Sequence, residues 1–109
     1  ILLALISSGL NGQNFTFNGY LPVKTAERSA KLRDLEKNAG CGYAQIFMET
    51  PYRNQKMMES IIETCHNDTK LCIAVDITLP SESIRTMTIS EWKRELPSLN
   101  DKLVVFVLQ

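Results

Sequence analysis

Apolar residues along this chain switch repeatedly between a period of two and a period near three and a half. Phe15-Thr16-Phe17-Asn18-Gly19-Tyr20-Leu21 alternates and is rich in aromatics, which predicts a strand ended by Pro22. From Thr25 to Ala39 the residues Ala26, Ala30, Leu32, Leu35 and Ala39 fall at helical steps, with Glu27 and Lys31 one turn apart on the solvent side. Asn38, Gly40 and Gly42 break that pattern, and a second strand follows from Tyr43 to Glu49. Met57, Met58, Ile61, Ile62 and Cys65 then give a second amphipathic helix over Pro51 to Cys65, in which the methionines are core packing. Leu71 to Thr78 predicts a third strand with Leu71, Ile73, Val75 and Ile77 on one face and small or polar residues on the other, where they leave room. Pro80-Ser81-Glu82 is a turn into a fourth strand, Ser83 to Ile89, so the two strands form an antiparallel hairpin. Ser90 is placed to cap a short helix that Pro97 stops. Leu103 to Leu108 is continuously apolar and β-branched, as a strand covered on both faces requires.

This order predicts a three-layer α/β/α domain with a mixed, about five-stranded sheet flanked by helices. The chain has 109 residues, enough for one core but short for an α/β enzyme that also encloses a cofactor. Ile1 to Ile6 is apolar but lacks a basic n-region and is too short to span a bilayer; it resembles a helix already under way before the Gly9 to Gly12 break. With no initiating methionine, the expectation is a fragment of a longer protein.

Twelve basic and twelve acidic residues cancel, so no global field favours nucleic acid or an anionic membrane. Cys41, Cys65 and Cys72 form an odd set without paired spacing, which argues against a disulfide framework and a zinc site and points to the reducing cytoplasm. His66, next to Cys65, is read as a helix-end surface residue. The chain lacks a Gly-rich phosphate loop, a nucleophile elbow, a zinc-protease helix and a dinucleotide fingerprint.

Candidate chemistry gathers where Ile46 to Met48 runs into Glu49-Thr50-Pro51-Tyr52-Arg53. The strand delivers polar groups to a helix start, where α/β proteins keep ligands. Thr50 is suited to N-cap the helix, Pro51 to its first position, and Glu49 and Arg53 are displayed at one rim. Glu49 and Asp76 end two strands and are either an acid/base pair or acids hydrogen-bonded to loops. Lys24, Arg28, Lys31 and Arg53, with Tyr20 and Tyr52, are either a phosphate-binding rim or a solvated face.

Three segments carry a resemblance. Ala4-Leu5-Ile6-Ser7-Ser8-Gly9-Leu10, then Phe17-Asn18-Gly19-Tyr20-Leu21-Pro22 with Lys24, then Phe47-Met48-Glu49-Thr50-Pro51-Tyr52-Arg53 resemble successive landmarks of the tetrapyrrole methylase superfamily, in the branch of ribosomal small-subunit RNA methyltransferase I. The resemblance runs over almost the whole chain, and the order and spacing of the motifs make it specific. It implies the C-terminal domain of a two-domain S-adenosyl-L-methionine-dependent methyltransferase. The N-terminal domain, which carries a "G-D-P-G" loop in such enzymes, is not in this chain, so the fragment alone should be inactive.

By the same resemblance, Met48, Glu49, Thr50, Ala74 and Val75 match cofactor-binding positions, and Pro22, Lys24, Pro51 and Arg53 match positions facing substrate. No catalytic residue and no metal is implied. The branch has an "A-R-E-L-T-K" run where this chain reads Ala74-Val75-Asp76-Ile77-Thr78-Leu79, so two cations are replaced by Val75 and Leu79. The expected acceptor is thus a ribose hydroxyl of ribosomal RNA or a tetrapyrrole precursor, and a non-catalytic binding module is the remaining alternative. The resemblance also implies a homodimer, with the opening helix and the Phe15 to Phe17 strand as an interface, and no membrane partner.

Overall fold

A computed structural model describes residues 3–4, 8–10 and 13–109. Much of the expected opening helix and of the Gly9 to Gly12 break therefore lies outside the described residues. Five strands form one mixed sheet: β1 (Phe15–Tyr20), β2 (Ala44–Met48), β3 (Lys70–Val75), β4 (Ser83–Thr88) and β5 (Val104–Leu108), in the order β1-β2-β5-β3-β4. β1 runs parallel to β2, and the other three pairings are antiparallel. Among the described residues the helices that are described from end to end are α1 (Thr25–Gly40), α2 (Asn54–Thr64), which follows a 3-10 turn at Pro51–Arg53, and α3 (Ile89–Arg94).

The last strand lies in the middle of the sheet. β5 inserts between β2 and β3, which explains its unbroken apolar run: Val104, Phe106 and Leu108 face one core, while Val105 and Val107 face the other. The larger core lies under the three helices and joins Leu32 and Leu35 of α1, Met57, Met58 and Ile61 of α2, and Ile89 and Trp92 of α3 to Phe47, Ile73 and Phe106. Phe47 and Phe106 stack there with ring centroids 5.3 Å apart. On the opposite face, small side chains dominate: Ala44, Cys72 and Ala74 lie with Ile46 and Val107 against Ala4, flanked by Leu10. Both faces are thus covered, but only the first carries α1, α2 and α3.

Local chemistry shifts several expected boundaries. The third strand stops at Val75 instead of Thr78, because Asp76 takes φ 48° and its carbonyl accepts from the Leu79 N–H at 2.9 Å, closing a turn. Thr88, not Ser90, caps α3: its hydroxyl accepts from the Glu91 N–H while Glu91 returns a bond to the Thr88 N–H, a reciprocal capping box. That helix ends at Arg94, before Pro97 is reached. Gly19, at φ 65°, sits where the β1 to β2 register shifts between Phe17 and Tyr20, a bulge that a side chain would oppose.

Candidate functional site

β2, β3 and β5 bring their ends together on the small-residue face. Here a cavity of about 350 Å³ is lined by Tyr20, Met48, Glu49, Pro51, Ala74, Ile77, Thr78 and Leu103 to Val105, with Leu3 at its edge. Ala74 lines it because alternation along β3 turns Ala74 opposite to Ile73 and Val75, and its single methyl leaves the space open.

Beneath the cavity lies a buried charge network. Glu49 is 5% exposed, and its Oε1 accepts from the Thr50 N–H at 2.7 Å and from Arg53 Nε at 3.2 Å. Its Oε2 stands 4.0 Å from Arg28 Nη1, and neither of these two atoms makes a hydrogen bond. Arg28, 3% exposed, also donates through Nε to Ser60 Oγ at 3.0 Å, which ties α1 to α2. Desolvation opposes the charge on Arg53, but hydrogen bonding and attraction to Glu49, with Tyr52 adding to both, hold its pKa above the ordinary value. The Arg53 guanidinium also lies 4.6 Å from the centre of the exposed Tyr52 ring.

The start of β5 is anchored from the same junction. Asn54 Nδ2 donates to the carbonyls of Leu99 and Lys102, at 3.2 and 2.8 Å, and the Asp101 N–H donates to the Pro51 carbonyl at 3.1 Å. The segment that leads into Leu103 is therefore fixed by the strand-to-helix junction opposite.

Of the residues singled out from sequence, Met48, Glu49, Pro51 and Ala74 line the cavity. Val75 does not, because strand alternation places it in the core under the helices. Thr50 occupies the N-cap position but its side chain accepts no capping bond; its N–H and hydroxyl both donate to the Glu49 carboxylate. Pro22, Lys24 and Arg53 also stand outside the cavity lining. The basic rim loses Arg28, which is buried against Glu49 and Ser60. Glu49 and Asp76 form no acid/base pair, since β5 separates their strands and each carboxylate is engaged by its own surroundings.

Sequence reasoning placed Tyr20 only beside a basic rim and missed Leu3, Ile77, Thr78 and Leu103 to Val105 as lining residues. Small residues on the second face of β3 were the signal for the open space; the apolar run of β5 marked a strand inside the sheet, but nothing in it named β2 and β3 as its neighbours. His66 is a surface residue 3.8 Å from Glu36, and Met57 and Met58 are fully buried core. Cys41, Cys65 and Cys72 are free thiols, and among the described residues no three His, Cys, Asp or Glu side chains gather as a metal site. No helix of the described residues is long and apolar enough to cross a membrane.

The mixed five-stranded sheet with its helices is an α/β domain fold. The methyltransferase CobJ shares it with a TM-score of 0.61 at 18% identity, over 99% of this chain and 46% of that one. In sequence, the chain resembles ribosomal RNA small subunit methyltransferase I, and the likeness is to the C-terminal domain alone. The protein of that name from Vibrio cholerae is 29% identical over 92 residues, 84% of this chain and 31% of the relative. Those from Mesorhizobium japonicum and Buchnera aphidicola are 33% and 32% identical, over 81% and 86% of this chain and 29% and 33% of their own lengths. The chain thus spans about a third of the curated relatives it matches. No family model matches it.

Proposed function

We propose that this domain forms one half of the cofactor and substrate cleft of an S-adenosyl-L-methionine-dependent methyltransferase, the other half being an N-terminal domain of the full-length protein. The observation that carries this reading is the cavity at the ends of β2, β3 and β5, lined by Met48, Glu49, Pro51 and Ala74. Its volume of about 350 Å³ and mainly apolar walls fit a small-molecule site. Leu3, Tyr20 and Leu103 at its lining are exposed, and so are Tyr52 and Leu79, each next in sequence to a lining residue. An apolar rim of this kind suits a surface that a second domain closes.

S-adenosylmethionine, when bound, supplies an activated methyl group, so the protein has mainly to orient donor and acceptor and keep water out. Met48 and Ala74 shape a dry floor for the adenosine. Pro51 and the Glu49-Thr50-Arg53 hydrogen bonds fix the junction that faces the acceptor. The relatives' names support small-subunit ribosomal RNA as the substrate, and a ribose hydroxyl is the acceptor proposed on it. A tetrapyrrole acceptor is the second reading, favoured by the burial of Arg28 and by Val75 and Leu79 at positions where the ribosomal branch has cations.

Two measurements test the proposal. Calorimetric titration of S-adenosylmethionine into the full-length protein should release or absorb heat; none at millimolar cofactor overturns the reading. Labelled cofactor, offered with small ribosomal subunits and tetrapyrrole precursors in parallel, distinguishes the acceptors, and label on neither points to a non-catalytic module.

A further inference from the structure

We infer that Asp76 is a positioning residue whose carboxylate holds two lining segments of the cavity together where the ladder between their strands has ended. The inference rests on the methyl-donor reading for its consequence, and on hydrogen-bond geometry for its substance.

The ladder between β3 and β5 ends at the pair Val75 and Val104. One residue further, antiparallel strands would continue by exchanging two N–H to carbonyl bonds between Asp76 and Leu103. Only one of these is made by the backbone: the Asp76 N–H donates to the Leu103 carbonyl at 2.7 Å. The Asp76 carbonyl is already engaged by the Leu79 N–H, because φ 48° has turned the chain away from the sheet. The side chain replaces it, and Asp76 Oδ1 accepts from the Leu103 N–H at 3.0 Å. The second oxygen, Oδ2, accepts from Ser81 Oγ at 2.8 Å and so holds the far side of the 76–82 loop.

The braced segments are the walls themselves. Ile77 and Thr78 line the cavity after Asp76, and Leu103, Val104 and Val105 line it on the strand that Asp76 bonds. Thr78 has φ 70°, an uncommon conformation for a β-branched residue, and its N–H is held by Glu82 Oε1 at 3.0 Å. Strain at a cavity wall persists only where the surroundings over-determine it, and here Asp76, Ser81 and Glu82 do so. A carboxylate is suited to the task because one group accepts two bonds in different directions. Both bonds favour its ionised form, with Lys102 adding attraction, and they hold its pKa below the ordinary value. Asp76 does not itself line the cavity, so its effect on ligand passes through the walls.

Asp76→Ala removes both bonds. Asp76→Asn keeps them in altered form, since its amide oxygen accepts from Leu103 and its amide nitrogen donates to Ser81 Oγ. The test measures S-adenosylhomocysteine affinity of the full-length protein by calorimetry, alongside hydrogen exchange of the Leu103 and Thr78 amides. Asp76→Ala should weaken binding by about tenfold and speed exchange at Leu103 by a similar factor, as loss of hydrogen bonds to a charged acceptor implies, while Asp76→Asn restores both to within about threefold. Unchanged affinity and exchange in Asp76→Ala would overturn the inference, as would an Asn variant as impaired as the Ala variant. Should Asp76→Ala not fold, Asp76→Glu decides, because it keeps the charge but carries the carboxylate one methylene past the Leu103 N–H: faster exchange at Leu103 with weakened affinity supports the brace, and both unchanged overturn it. If the parent protein binds no S-adenosylhomocysteine, the methyl-donor reading fails, and exchange at Leu103 alone decides whether Asp76 braces the walls.

Discussion

Replacing Arg28 by Met should be among the most damaging single changes to this domain, although Arg28 lies on a helix whose pattern marks it as a solvent residue. Its guanidinium is 3% exposed, 4.0 Å from Glu49 Oε2 and 3.0 Å from Ser60 Oγ. At an effective dielectric of about 20, two unit charges at that separation attract by about 4 kcal/mol before desolvation is counted. Removing one member of such a pair leaves the other buried without compensation, which costs about 3–5 kcal/mol. Arg53 still reaches the other Glu49 oxygen at 3.2 Å, so the expected loss is near the low end of that range. Glu49→Gln strands Arg28 in the same way. The double variant Arg28→Met/Glu49→Gln removes both charges and should be more stable than the sum of the two losses by at least about 1 kcal/mol, within the range of coupling between contacting residues. Urea unfolding of the three variants, extrapolated to water, measures this directly. Losses that add to within about 0.5 kcal/mol would refute the coupling, because independent sites behave that way.

Three further outcomes follow from the same geometry. Asp76 has a depressed pKa in the fold, so the unfolded chain binds its proton first as pH drops; the stabilisation from its hydrogen bonds is present above the ordinary value of 3.8 and lost as pH falls through the lower folded value. Asp76→Asn should flatten that part of the acid unfolding curve. Burial, with repulsion from the Glu36 carboxylate and a hydrogen bond to it that favours the thiol, pushes Cys65 up to about 12, so between the ordinary value of 9.0 and about 12 the unfolded chain loses its proton first and stability falls as pH rises. Iodoacetamide at neutral pH should correspondingly label exposed Cys41 well before Cys65 or Cys72, as mass spectrometry of the peptides would show. Trp92→Phe removes the donor that reaches the Leu71 carbonyl at 2.9 Å in the core and should cost about 1–3 kcal/mol in urea unfolding, the penalty for an unsatisfied buried acceptor.

The sequence by itself determined each element whose residues carry their own instructions. Alternation in Phe15 to Tyr20, helical spacing in α1 and α2, and the apolar run of β5 report which faces must leave water, a local matter of periodicity. The Ile46 to Arg53 junction was legible for the same reason, since a buried strand meeting Pro51 leaves the chain few alternatives. Small residues on the second face of β3 also announced open space, which the cavity beside Ala74 fills. Tertiary structure alone decided what depends on residues distant in the chain. Only the insertion of β5 between β2 and β3 separates Glu49 from Asp76 and brings Leu103 to Val105 to the cavity. Only the packing of α1 against α2 draws Arg28 inside, because the pull of a buried carboxylate and Ser60 outweighs a charged residue's preference for water. Thr50 likewise makes no capping bond, and its N–H and hydroxyl donate instead to the Glu49 carboxylate. Periodicity tells a side chain which way to face, but the partner it meets there is set by the folded chain.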